Sequence, residues 1–159
     1  MPAAKMCPLG VFLASADLAQ NSALCLVFEQ QQGVRIVGGA KDTHDALHGV
    51  LDSGADFLLL DWELPVRSEL STRNGEGTPE LAVPDLITRL RSSGEHLHIV
   101  VLTLKPEFEL VAMRAGADAV MVKTSAPERM LAALITQIRE AEMLEWNGQN
   151  NSSATHPCA

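Results

Sequence analysis

Short apolar runs recur along the chain, separated by segments in which apolar residues have helical spacing. The runs are rich in aliphatic or β-branched residues and lack polar alternation, as is typical of parallel strands covered on both faces of a sheet. The five runs are Val11–Ala14, Val34–Val37, Phe57–Leu60, Ile99–Leu102 and Ala119–Val122.

Each run is followed by a segment whose apolar residues lie three or four positions apart, the spacing of one helix face. Four of these stripes are regular: Ala23, Leu24, Val27 and Phe28; Leu47, Val50 and Leu51; Leu86, Ile87 and Leu90; and Leu131, Leu134, Ile135 and Ile138. A less regular stripe is Leu110, Val111, Met113 and Ala115. Five strands that alternate with five helices predict an α/β protein with a (βα)5 doubly wound parallel sheet and right-handed crossovers.

The length and composition predict one folded domain with two less regular segments. A chain of 159 residues that is 47% apolar can bury a core of its own. We expect the domain to span residues 9–146. Residues 66–82 are polar and too long for an ordinary connection, so we expect an inserted loop after the third strand. Residues 147–159 have few apolar side chains and are expected to form a disordered polar tail.

Charge and cysteine usage narrow the class of protein. The net charge of −8 argues against nucleic-acid binding through this segment. The three cysteines, Cys7, Cys25 and Cys158, have neither metal-site nor redox-motif spacing, which suits a reducing compartment. No apolar run approaches the roughly 18 residues that a membrane span needs. We therefore expect a cytoplasmic protein without a membrane partner.

Three polar residues stand directly after predicted strands and are candidates for chemistry. Asp61 follows the third strand, Thr103 the fourth and Lys123 the fifth. In open α/β sheets these strand ends share the edge that carries ligand sites. A carboxylate can accept a phosphoryl group, and a hydroxyl and an ammonium can hold the oxygens of that group.

Longer stretches around these residues carry a resemblance to a known family. They are Asp56-Phe-Leu-Leu-Leu-Asp61-Trp-Glu-Leu-Pro65, Ile99-Val-Val-Leu-Thr103 and Gly116-Ala-Asp-Ala-Val-Met-Val-Lys123. From about Leu9 to Glu142 the chain resembles the CheY-like receiver domain of bacterial response regulators. Val34-Arg-Ile-Val-Gly-Gly-Ala40, followed by Asp45-Ala-Leu, is most similar to the NarL/FixJ type.

The resemblance implies a fold, a function and roles for residues. The fold is flavodoxin-like with strand order 2-1-3-4-5, and the function is signal transduction in a two-component phosphorelay rather than enzymatic turnover. Asp61 would be the phosphoacceptor, Thr103 the switch hydroxyl and Lys123 the phosphate-binding lysine. The implied partners are a histidine kinase or phosphotransfer protein, and a protein or second copy bound through the face of the fourth helix, fifth strand and fifth helix.

The sequence departs from the family pattern at the metal site and at the aromatic switch. The family holds Mg²⁺ with the phosphoacceptor and an acidic pair after the first strand, where this chain has Ser15 and Ala16. Mg²⁺ prefers carboxylate oxygens, and Asp17 would join Asp61 as a ligand only if the strand end shifts by one residue. The switch position is occupied by Val120, and the chain contains no tyrosine.

These departures leave more than one function open. The first is an atypical receiver that is phosphorylated on Asp61. The alternative is a degenerate pseudo-receiver that binds proteins without phosphorylation, in which Asp61 and Lys123 form a structural ion pair. A nucleotide-binding or other small-ligand protein is disfavoured, because Ser15-Ala-Asp17 is not a glycine-rich phosphate loop.

One further pair of residues has metal-ligand spacing. His44 and His48 lie four positions apart on a predicted helix. Without a third ligand we expect both to be surface residues rather than a zinc site.

Overall fold

The computed structural model describes residues 8–31, 33–66, 81–94, 96–123, 129, 132–140 and 143. Most of the predicted insertion, residues 67–80, and the whole predicted tail, residues 147–159, lie outside the described residues, as do Cys7 and Cys158.

The five predicted runs form one parallel sheet. The strands are β1 (Leu9–Ala14), β2 (Val34–Ala40), β3 (Phe57–Asp61), β4 (His98–Thr103) and β5 (Ala119–Val122). Their order in the sheet is β2-β1-β3-β4-β5, and each neighbouring pair is parallel. This topology confirms the predicted fold class and strand order.

Helices follow the strands, and polar or glycine residues set several of their ends. They are α1 (Leu18–Glu29), α2 (Thr43–Ser53), α3 (Val83–Ser92), α4 (Glu109–Ala115) and α5, the helical residues 132–140. The Asp17 carboxylate accepts a hydrogen bond from the Gln20 amide at the start of α1, as N-cap residues do. Gly54 ends α2 with φ of 64°, a left-handed conformation that favours glycine. None of the described helices is long and apolar enough to cross a membrane.

The three central strands, β1, β3 and β4, are mostly apolar because both of their faces are covered. Alternate residues of a strand point to opposite faces of a sheet. On one face, Phe12, Leu58, Leu60, Ile99 and Val101 pack with residues of α2, α3 and α4 that include Val50, Leu86, Leu90 and Ala112. On the other face, Val11, Leu13, Phe57, Leu59, Val100 and Leu102 pack with Leu24 and Phe28 of α1 and with Leu134 and Ile138 of α5.

Strand β2 is longer than predicted, because it continues through two glycines to Ala40. A Cβ atom on Gly38 would lie 2.8 Å from the Phe12 ring, and one on Gly49 of α2 would lie 2.6 Å from it. Glycine is therefore needed where the ring of Phe12 fills the space between β2 and α2. The pairing of β1 with β2 also shifts by one residue after Val11, which indicates a bulge near Val37.

The prediction that the apolar stripe of α4 faces the core is wrong. Leu110, Val111 and Met113 are exposed, whereas Ala112 is fully buried. The helix has only seven residues, and a small residue on its inner side lets it lie close to the sheet. Larger side chains are left on the outer side.

Candidate functional site

The carboxylate of Asp61 is buried at the C-terminal edge of the sheet and receives three hydrogen bonds. Its Oδ2 accepts from Lys123 Nζ at 2.7 Å and from Ser15 Oγ at 3.1 Å. Its Oδ1 accepts from the backbone amide of Glu63 at 3.0 Å. Because Asp61 is only 5% exposed, these donors replace most of the water that an exposed carboxylate would bind.

Lys123 supplies the positive charge of this site. Its backbone amide donates to the Thr103 carbonyl at 2.7 Å, which fixes the residue just beyond β5. Its ammonium crosses the end of β4 to reach Asp61, and 14% of its side chain is exposed. The structure thus brings together Asp61 and Lys123, two of the residues singled out from the sequence, as a largely buried and neutral pair.

Thr103 lies at the same sheet edge, but its hydroxyl is used by its own loop. The side chain is 1% exposed, and Leu102 is the residue of β4 that pairs with Asp61. Thr103 Oγ1 accepts from the Lys105 amide at 3.1 Å and donates to the Lys105 carbonyl at 3.2 Å. In this arrangement the hydroxyl stabilises the turn into the following 3-10 segment, Pro106–Phe108.

The residues after β1 form a neutral pocket wall instead of an acidic one. Ser15 is buried and follows Ala14, which pairs with Leu60 directly before Asp61. The Ser15 hydroxyl donates to Asp61 and accepts from the Asp17 amide at 3.1 Å. Ala16 is exposed. Asp17 is exposed too, and its carboxylate caps α1.

The donors around Asp61 do not fit Mg²⁺. This ion requires near-octahedral oxygen ligands and is usually held by carboxylates. Among the described residues, the pocket offers one carboxylate, already bonded to an ammonium, and the neutral hydroxyl of Ser15. Within the described residues, no group of three or more His, Cys, Asp or Glu side chains is arranged to hold a metal. Lys123 is the cation that contacts the Asp61 carboxylate.

An aromatic pair beside the site was missed by the sequence interpretation. The rings of Trp62 and Phe108 stack with their centroids 5.3 Å apart and their planes inclined by 24°. The Trp62 amide donates to the Leu102 carbonyl at 2.8 Å. The stack therefore joins the loop after Asp61 to the segment after Thr103. The only signal in the sequence was an aromatic residue shortly after each of these two strand ends.

The predicted switch position has no comparable ring. Val120 lies in β5, is partly buried, and packs against the core cluster that includes Leu86 and Ala112. A valine there has neither the length nor the hydroxyl of a tyrosine.

Comparison with known proteins shows that the fold is that of receiver domains. The signal receiver domain assigned to NarL of Mycobacterium tuberculosis matches with a TM-score of 0.66 and 17% identity, over 84% of this chain and 98% of that one. The response regulator domain of CheB from Thermotoga maritima matches with a TM-score of 0.66 and 17% identity, over 84% and 96%.

A third match is the isolated receiver domain of RcsB from Salmonella enterica serovar Typhimurium, solved with the phosphate mimic BeF₃⁻. Its TM-score is 0.60 and its identity 22%, over 81% of this chain and 89% of that one. No protein-family model matches the sequence, and no curated protein matches it either. The structural neighbours of the chain are thus response regulator receiver domains at low sequence identity.

Proposed function

We propose that the chain is a receiver-type signalling module of two-component pathways that binds protein partners without being phosphorylated. One observation carries this proposal: the Asp61 carboxylate is bonded to Lys123 and to Ser15, in a pocket whose donors do not fit Mg²⁺. The receiver fold supports the assignment to signalling, and the composition of the pocket supports the absence of phosphorylation.

The charge balance at Asp61 explains why phosphorylation is disfavoured. A phosphodonor brings further negative charge to a buried carboxylate, and catalysis of this transfer depends on cations that offset the charge. Lys123 contributes one positive charge, which the Asp61 carboxylate already neutralises. Lys105 is exposed on the neighbouring loop, and its Nζ lies 5.9 Å from the centre of the Phe108 ring. Its ammonium therefore contacts this ring rather than the Asp61 carboxylate.

A second candidate is a receiver that a histidine kinase or phosphotransfer protein phosphorylates on Asp61. The observation that favours it is the convergence of Asp61, Thr103 and Lys123 at the ends of three adjacent strands. In this mechanism an oxygen of Asp61 attacks the phosphorus atom while the bond from phosphorus to the imidazole nitrogen of the donor's phosphohistidine breaks, and the donor histidine leaves. The Lys123 ammonium and the Thr103 hydroxyl bind the transferred oxygens. Both side chains must first leave their present partners, the Asp61 carboxylate and the Lys105 backbone.

The binding surface that we propose for a protein partner or a second copy is the outer face of α4, β5 and α5. Four large apolar side chains are exposed there: Leu110, Val111, Met113 and Val122. Apolar side chains that stand close together on a surface often mark protein interfaces.

A phosphodonor assay separates the two candidates. The full chain is incubated with acetyl phosphate and MgCl₂, and its intact mass is measured beside that of Asp61→Asn. We expect no phosphoryl adduct on the native chain. A matched variant with Ser15→Asp and Ala16→Asp restores the acidic pair and tests whether its loss is the cause. An adduct on the native chain that disappears in Asp61→Asn would establish the second candidate instead.

A further inference from the structure

His44 and His48 of α2 form a histidine pair that the signalling function does not use. They are one helical turn apart, and their ring centroids are 4.7 Å from each other with the planes inclined by 60°. The His44 side chain is 42% exposed and His48 is also exposed. The structure thus brings two imidazoles together on an accessible helix face.

The separation of the rings matches a bidentate metal chelate. A zinc–nitrogen bond of about 2.0–2.1 Å puts each imidazole centroid roughly 3.2 Å from a bound ion. Two such centroids 4.7 Å apart correspond to a nitrogen–metal–nitrogen angle of about 95°, between the octahedral and tetrahedral values.

The surroundings of His44 determine which of its nitrogens can bind the ion. Its Nδ1 is shielded from solvent and lies 3.9 Å from the Asp45 carboxylate. A carboxylate beside one ring nitrogen favours a proton on that nitrogen, and the other nitrogen then becomes the metal ligand. Nε2 is therefore the nitrogen of His44 that we assign to the ion.

We propose that His44 and His48 bind one divalent transition-metal ion of the zinc, nickel and copper class, with water completing its coordination. Imidazole suits these ions, whereas Mg²⁺ prefers oxygen ligands. Two ligands make an exchangeable site. The helix that carries the site is also hydrogen-bonded to the loop after Asp61, because the Thr43 amide at the start of α2 donates to the Pro65 carbonyl at 3.0 Å. The proposal does not depend on phosphorylation.

Calorimetric titration of the full chain with ZnCl₂ and CuCl₂, in a buffer that does not bind metals, tests the proposal. We expect one ion per chain and tighter binding of Cu²⁺ than of Zn²⁺. His44→Gln and His48→Gln should each weaken binding at least tenfold, because each removes one arm of the chelate. The double variant should also lose the residual binding to one imidazole and show no measurable binding at this site.

Two matched controls locate the site on α2. His96→Gln changes an exposed loop histidine, and His156→Gln changes a histidine that lies outside the described residues. Both should keep the native affinity within about twofold. Saturating metal should raise the melting temperature of the native chain and of the controls, but not that of His48→Gln. Unchanged affinity in His48→Gln, or a loss of binding in His156→Gln, would overturn the proposal.

Discussion

At the scale of single residues, Asp61 and Lys123 differ in their access to water, and they should respond differently to substitution. The Asp61 side chain is 6% exposed, whereas Lys123 is 14% exposed on a long flexible stem. Lys123→Met leaves a buried carboxylate without its cation, and we expect a loss of about 3 kcal/mol in unfolding free energy. Asp61→Asn should cost about 1 kcal/mol, since the lysine head can turn toward solvent.

Urea unfolding of both variants and of the double variant measures this asymmetry. Asp61→Asn combined with Lys123→Met removes both charges and should be more stable than Lys123→Met alone. Equal losses in the two single variants would show that the pair is solvated and contributes little.

The neutral side chain of Ser15 is one reason why the pocket does not fit Mg²⁺. Replacing Ser15 with aspartate should make the melting temperature depend on this ion. The Ser15 hydroxyl is 3.1 Å from Asp61 Oδ2, so Ser15→Asp puts two carboxylates side by side in a buried place. Their repulsion should lower the melting temperature in EDTA. MgCl₂ should restore much of the loss, because an ion that binds only the folded state stabilises it.

The native chain and Ser15→Ala provide the comparison. Neither should change its melting temperature when MgCl₂ replaces NaCl at the same ionic strength, which keeps screening constant. A Mg²⁺-dependent rise in the native chain as large as that in Ser15→Asp would contradict this explanation.

The identity of the residues at the site could be predicted from the sequence, whereas the contacts that these residues make could be predicted only in part. Asp61 and Lys123 could be placed at one edge because parallel strand ends share an edge. The hydroxyl of Thr103 could not be aimed in advance, because its direction depends on the local turn that holds the Lys105 backbone. The hydrogen bond from Ser15 depends on the register of β1 with β3, which fixes Ser15 beside Asp61.

At the scale of elements, the packing of Phe12 reverses the usual effect of a helical glycine. Gly→Ala inside a helix normally stabilises by about 0.5–1 kcal/mol. At Gly49, however, a methyl group would lie 2.6 Å from the Phe12 ring. We expect Gly49→Ala to destabilise the protein by about 1–3 kcal/mol, the usual cost of overpacking a core.

A double variant isolates the contact that causes this loss. Phe12→Leu shortens the ring side chain, so adding Gly49→Ala in that background should be neutral or stabilising when unfolding is measured in urea. If Gly49→Ala stabilises the native background as well, the Phe12 ring moves aside without cost and the explanation is wrong.

The same ring explains why the end of β2 was misjudged. Glycine is depleted in strands, and the predicted run ends at Val37, directly before Gly38-Gly39. The strand continues there because its neighbour β1 presents a large ring to a position that has no side chain. Such an exception depends on a contact between distant residues, and no local pattern contains it. The burial of Ala112 in α4 was missed for a related reason, since a small residue gives little hydrophobic signal.

At the scale of the whole molecule, the alternation of apolar runs with segments of helical spacing was enough to predict a parallel sheet between two layers of helices. The three central strands, β1, β3 and β4, are buried along almost their whole length, and this is why their runs are continuously apolar. The domain boundaries, residues 9–146 with an inserted segment at 66–82, remain a proposal. Polar composition identifies a segment that need not pack in the core, but it does not specify what that segment contacts.

The apolar side chains on the outer face of α4 provide a test of how the molecule associates. Leu110 is 58% exposed and Leu26 of α1 is 62% exposed, so a glutamate should cost little stability at either position. Only Leu110 lies with other exposed apolar residues, Val111 and Met113, on the proposed binding face. If that face binds a second copy, Leu110→Glu should weaken self-association at least tenfold in sedimentation experiments, whereas Leu26→Glu should leave it unchanged. Equal effects of the two variants would place the interface elsewhere, because a shared loss would then reflect general surface charge rather than the α4 face.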